Sequence, residues 1–152
     1  MTDRDRAAAA HAAERLGHAG RRALTRGDIK AAVNLLGRAA SLWNAHDPDR
    51  IQVLPTLGDA LVKGGMLAEA RAVFEEAVDE AAKLGDPGLL AEARLARTEV
   101  WMDEGRLDET QAEAEGAIRL LVGDDLRLSR AWGVMADVHW SHSRFAKADE
   151  AL

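Results

Sequence analysis

The stretch LGDALVKGGMLAEARAVFEEAV, residues 57–78, decides the fold. Leu57, Gly58 and Leu61 carry a helical period that stops at Gly64–Gly65, and Leu67, Ala70, Phe74 and Ala77 restart it at once. Glycine takes the left-handed conformation that closes a helix at little cost. A double glycine between two apolar stripes therefore predicts a tight elbow between antiparallel helices. An elbow that belongs to a repeating unit must recur, and this one does. Gly27 is followed at the same offsets by Ile29, Ala32, Leu36 and Ala39, Gly105 by Leu107, Thr110, Ala114 and Ala117, and Ser143 by Phe145, Ala148 and Leu152. The four turns at 27, 65, 105 and 143 stand 38, 40 and 38 residues apart. Seven residues ahead of each stand Gly20, Gly58, Thr98 and Ala136, small side chains where two helix axes must come close.

The rest of the chain agrees with a helical reading. Its 152 residues suffice for one domain with a real core, and 47% hydrophobic and 30% charged residues are ordinary for a soluble chain. Alanine is the commonest residue, tyrosine is absent and there are three prolines, a composition that favours helix throughout. Between the hairpins lie AHDPDR, LGDPGL and VGDDLR, where aspartate can cap a helix and proline suits its first turn. With no cysteine, disulfides, thiolate zinc sites and a cysteine nucleophile are excluded. The opening MTDRDRAAAAHAAERLG lacks the apolar core of a signal peptide, and no run approaches the roughly 18 apolar residues of a membrane span. A cytoplasmic protein with no membrane partner is expected. The formal charge of −6 opposes a phosphate backbone, and the basic stretch Arg21, Arg22, Arg26, Lys30 reads as a solvated helix face, so no nucleic-acid partner is expected either.

LPTLGDALVKGGMLAEARAVFEEAV, with Leu54, Leu57, Gly58, Leu61, Gly65, Leu67, Ala70, Phe74 and Ala77, resembles the tetratricopeptide repeat (TPR). The first copy matches through Leu16, Gly20, Ala23, Gly27, Ile29, Ala32, Leu36 and Ala39, and the fourth through Trp132, Ala136, Phe145 and Ala148. The third departs from it at Arg94, Arg97 and Thr98, so its first helix is expected to be rotated or more exposed. The resemblance implies an all-α solenoid of antiparallel hairpins, three full repeats plus a truncated fourth. All lie in one domain, 1–152, with repeats at about 7–46, 47–85, 86–123 and 124–152. The period exceeds the usual 34 or so residues and resembles the longer repeats of bacterial multidomain signalling and transcription regulators. The fourth repeat breaks off two turns into its second helix, which would leave Trp132, Met135, Val138, Phe145 and Leu152 incompletely covered. The expectation is a fragment of a longer array, or self-association through the C-terminal end.

Motifs for chemistry are weak. VKGGMLAEAR lacks the spacing and the lysine of a phosphate-binding loop, and no serine, histidine and aspartate suggest a triad. No enzyme and no cofactor are expected. Glu75, Glu76, Asp79 and Glu80 read as the wet face of a helix rather than as paired catalytic carboxylates. His139 and His142 stand three apart, but without a third ligand at a suggestive spacing a structural role outweighs metal binding, His139 in a core-facing register. Trp101 and Trp132 are expected in the core, and Trp43 against the next repeat.

The resemblance places the register of Leu24, Val62, Met102 and Trp140 on the concave groove. A buried role for Trp140 competes there with that of an exposed binding hot spot. It also places Arg21, Asp59, Glu99 and Asp137 along the inner surface, with Lys63 and Asp103 close by. A groove with an apolar floor and a wall increasingly negative toward the C-terminus would suit a basic peptide or helix. The function so implied is a non-enzymatic protein-binding scaffold, the alternative a small-molecule sensor domain of a bacterial regulator.

Overall fold

The computed structural model of the chain describes residues 3–121, 123 and 125–149. Seven helices account for its regular structure: α1 Asp3–Thr25, α2 Ile29–Leu42, α3 Pro48–Lys63, α4 Leu67–Leu84, α5 Pro87–Asp103, α6 Leu107–Leu120 and α7 Asp125–Asp149. No strand occurs among the described residues.

The first three elbows are built alike. Gly27, Gly65 and Gly105 have φ of 77°, 75° and 71°, values that a Cβ would strain. At the second, the Gly65 N–H donates to the Val62 carbonyl and the Met66 N–H to the Leu61 carbonyl, each at 2.9 Å. The Met66 carbonyl in turn accepts from the Ala70 N–H at 2.9 Å. One residue thus ends a helix with its N–H and starts the next with its C=O. Asp28 and Arg106 do the same between Ala23 and Ala32 and between Trp101 and Thr110. The longer connections carry the caps expected of them: Asp47 accepts from the Asp49 N–H at 3.0 Å and Asp86 from the Leu89 N–H at 2.9 Å, each ahead of a proline at the helix start.

The fourth elbow does not form. Helix α7 runs through Ser143, so there is no eighth helix beginning at Phe145. Serine, unlike glycine, meets a steric cost in the left-handed conformation the elbow requires. Its Oγ instead donates back to the His139 carbonyl at 3.0 Å, a bond that an uninterrupted helix accommodates. The side chains of Phe145 and Ala148, and Leu152 altogether, lie outside the described residues.

α1 pairs with α2, α3 with α4 and α5 with α6, and the hairpins stack so that α3, α5 and α7 lie side by side. Close approach within a hairpin uses the small residues seven before each elbow. A Cβ on Gly58 would stand 2.2 Å from the Phe74 ring, and one on Gly20 2.6 Å from Leu36 Cγ. The third hairpin exchanges the sizes: Thr98 stands where the others have glycine, and Ala114 where they have Leu36 and Phe74. Its first helix is therefore not rotated outward as expected; Thr98 is 1% exposed and Ala91, Ala93, Leu95, Ala96 and Val100 are buried around α5.

Two apolar clusters share α5, a larger one around Leu36, Ile51, Leu54 and Phe74 and a smaller one around Leu95, Leu121 and Met135. Arg97 reaches Glu113 on α6, and its guanidinium lies 4.7 Å from the centre of the Trp101 ring, as does that of Arg106. Trp101 is thus half-buried between two cations rather than in the apolar core.

Other side-chain expectations are corrected too. Trp132 is 58% exposed and His139 is exposed, because no helix covers that side of α7 among the described residues. Glu80 is buried rather than wet, held by Lys83 at 2.8 Å and by His46, and Glu76 is half-buried at 2.6 Å from Arg50.

Candidate functional site

Because the hairpins repeat, equivalent positions of α3, α5 and α7 fall in rows across the stack: Asp59, Glu99, Asp137, then Val62, Met102, Trp140, then Lys63, Asp103, Ser141. Side by side, the three helices enclose a recess of about 410 Å³. Val62, Met102, Val134 and Trp140 supply its apolar surface, and Glu99, Asp103 and Asp137 its carboxylates, with Thr98 and Ser141 beside them. Trp140 is 61% exposed, so the core role is excluded for it.

Six of the residues expected along the groove thus meet in one place: Val62, Glu99, Met102, Asp103, Asp137 and Trp140. The other four lie elsewhere. Asp59 is ion-paired with Lys63 one turn along α3. Leu24 packs half-buried against the larger apolar cluster. Arg21 lines two other hollows, one with His18 and Trp43, the other with Pro55, Glu92 and Arg130.

The wall is less negative than its row of acids implies. Arg130 on α7 stands 3.4 Å from Glu99, and Arg127 stands 2.9 Å from Glu92. Neither arginine carries a motif. The register did not point to these pairs, since the repeat sets Arg130 in the row of Glu92 and two turns from that of Glu99. After these pairings, Asp103 and Asp137 are the recess carboxylates that no cation engages among the described residues.

His142 Nε2 lies 3.7 Å from Asp108 on α6 and does not join His139 in a cluster. Among the described residues no three His, Asp or Glu converge as metal ligands, and no helix is long and apolar enough to cross a membrane. The recess thus joins an apolar floor to carboxylates carried on adjacent helices.

No family model matches the chain, and no curated relative matches it. Solved structures do match. The nearly identical TPR-like repeats of a Podosopora anserina kinesin light chain superpose with a TM-score of 0.66 at 17% identity, over 82% of this chain and 69% of that one. A point variant of the same repeats gives 0.66 at 18% identity, over 82% and 68%. At this identity the likeness concerns the fold. The chain has a TPR-like repeat fold.

Proposed function

We propose that this chain is a non-enzymatic interaction scaffold that holds a Lys- or Arg-bearing peptide or helix in the recess between α3, α5 and α7. The observation that carries this reading is the meeting of an apolar floor, Val62, Met102, Val134 and Trp140, with Asp103 and Asp137, carboxylates that no cation engages among the described residues. A bound segment would lay its apolar side on the floor and bring its cation to the rim beside Trp140. Charge at such a rim favours encounter and selects against acidic segments, while a tryptophan in a hollow is the residue type that most often dominates binding energy.

The test is titration of a lysine-rich amphipathic helical peptide carrying a fluorophore. Asp103→Lys combined with Asp137→Lys should abolish binding, whereas Asp59→Lys should change it little. Binding to the wild type should weaken with salt, since exposed charges are screened over about 10 Å at 0.1 M. Unchanged affinity in the double variant would refute the reading.

The size of the recess supports a second reading, a small cationic effector, because ligand pockets run from roughly 300 to 1,000 Å³. Thermal stabilisation by an alkylamine, with no peptide affinity, would favour that sensor role.

A further inference from the structure

The third hairpin differs from its neighbours at a second pair of places besides Thr98 and Ala114. Eleven residues before its elbow stands Arg94, where the other repeats have Leu16, Leu54 and Trp132. Eleven residues after it stands Gly116, where the first two repeats have Arg38 and Glu76. In the second hairpin Leu54 is 1% exposed, and Glu76 accepts from Arg50 at 2.6 Å. The third hairpin thus gains a cation in place of an apolar side chain and lacks the acid found at the equivalent of Gly116.

Arg94 reaches from α5 to α6 and ends over Gly116, its Nη1 2.7 Å from where a Cβ would stand. It is half-buried, its Nε is buried without a hydrogen-bond partner, and no carboxylate engages it among the described residues. Arg119 on α6 is exposed, brings its Nη2 to 3.8 Å from the same point, and has no partner among them either. The acids of α6 nearby are already engaged. Glu113 holds Arg97, and Glu115 accepts from Gln111 at 3.0 Å. Arg97 Nε is also unbonded, but its guanidinium has that carboxylate. Arg94 has none, although a guanidinium carries five donors and burying a charge is costly unless it is paired.

We propose that Arg94 and Arg119 bind a phosphate group, free or carried on a small organic ligand, over Gly116. A phosphate group carries about two negative charges at neutral pH, which matches two guanidiniums. Its oxygens can face both at once, whereas the two oxygens of a carboxylate are used up by a single arginine fork. Gly116 keeps the place clear, since a longer side chain there would fill it. The exposed Arg119 leaves it open to solvent. Neither arginine lines the recess between α3, α5 and α7, so this is a separate site.

Proton–nitrogen NMR of the arginine Nε–H groups during titration with inorganic phosphate, at constant ionic strength, tests this. The signals of Arg94 and Arg119 should shift and saturate at millimolar phosphate, while those of the exposed Arg15 and Arg22 should not. Acetate should not reproduce the effect. Glycerol phosphate should saturate the same two signals, and tighter binding than inorganic phosphate would identify a carried group as the source. Arg94→Leu restores the residue of the first two repeats, so it should keep or raise the melting temperature while abolishing saturation at Arg119. Gly116→Glu supplies an internal carboxylate, so it should melt higher than Gly116→Gln and no longer take up phosphate. Signals that drift together without saturating, or an equal response to acetate, would overturn the proposal. So would phosphate binding that survives Arg94→Leu or Gly116→Glu. Failure of peptide binding in the recess would leave these outcomes unaffected.

Discussion

At the scale of single residues, the glycines of this chain do two different jobs. Gly65 supplies a φ of 75° at an elbow, whereas Gly58 supplies absence: its missing Cβ is where the buried Phe74 ring rests. Gly58→Ala should therefore lower stability by about 1–3 kcal/mol, the usual range for forcing extra volume into a packed core. Gly37 has no atom within 4 Å of where its Cβ would stand, so Gly37→Ala should raise stability by about 0.5–1 kcal/mol through helix propensity alone. Urea midpoints of the two variants would check both signs. Gly58→Ala combined with Phe74→Ala should cost less than the two single changes added, because removing the ring removes the clash. The third hairpin shows the same exchange carried out naturally, with Thr98 and Ala114. That a small residue recurs before each elbow was legible in the sequence. Which side chain fills the space it leaves depended on the partner helix.

At the scale of elements, the connection from α2 to α3 is fastened to α4 through one buried acid. Glu80 accepts from Lys83 and meets His46. These two bonds, in that order, hold its carboxyl below the ordinary 4.5, against burial, which acts the other way. Lys83 is raised above 10.5 by the same bond. A carboxyl lowered by folding adds stability that is fully present above its ordinary value and lost as pH falls through the lower folded one. The lysine's share is present below its ordinary value and lost as pH rises through the raised one. The wild type should therefore lose thermal stability as pH drops below about 4.5. Glu80→Gln should be less stable at neutral pH and flatter over that acid interval. Parallel melting curves for the two proteins across pH would show that Glu80 contributes nothing to acid lability. The sequence placed Glu80 on a wet helix face because Phe74, Ala77 and Ala81 mark the packed side of that helix. Its contact with His46, thirty-four positions away, exists only in the packed structure.

At the scale of the whole molecule, stability in a stack of hairpins is a sum over units and their shared faces, so it need not be uniform. The cluster spanning α1 to α5 contains Leu36, Ile51, Leu54 and Phe74, whereas the one spanning α5 to α7 is smaller and rich in alanine. Native-state hydrogen exchange should find the amides of α6 and α7 opening at lower free energy than those of α3 and α4. Equal protection throughout would mean that the chain unfolds as one cooperative unit. With that result, the candidate recess would lie between a firmer wall, α3, and a more yielding one, α7.

The sequence by itself determined the helices, the first three elbows and the order of the stack. These follow from glycine conformation, capping aspartates and apolar period, which are properties of a few adjacent residues. The same local reasoning erred at Ser143, where the register predicted a turn but the residue disfavours the left-handed conformation, and α7 continues. The groove was legible as rows of equivalent positions, which is how Asp103, Asp137 and Trp140 were found. Its charge was not. Glu99 is compensated by Arg130, thirty-one positions away, and Asp59 by Lys63, and only the packed arrangement decides which acids remain uncompensated. Exposure was decided in the same way. Trp101, Trp132 and Trp140 all fall on apolar or groove registers, yet one lies between two guanidiniums and the others face outward. A helix period tells which residues share a side, but what lies opposite that side is a fact about neighbouring helices.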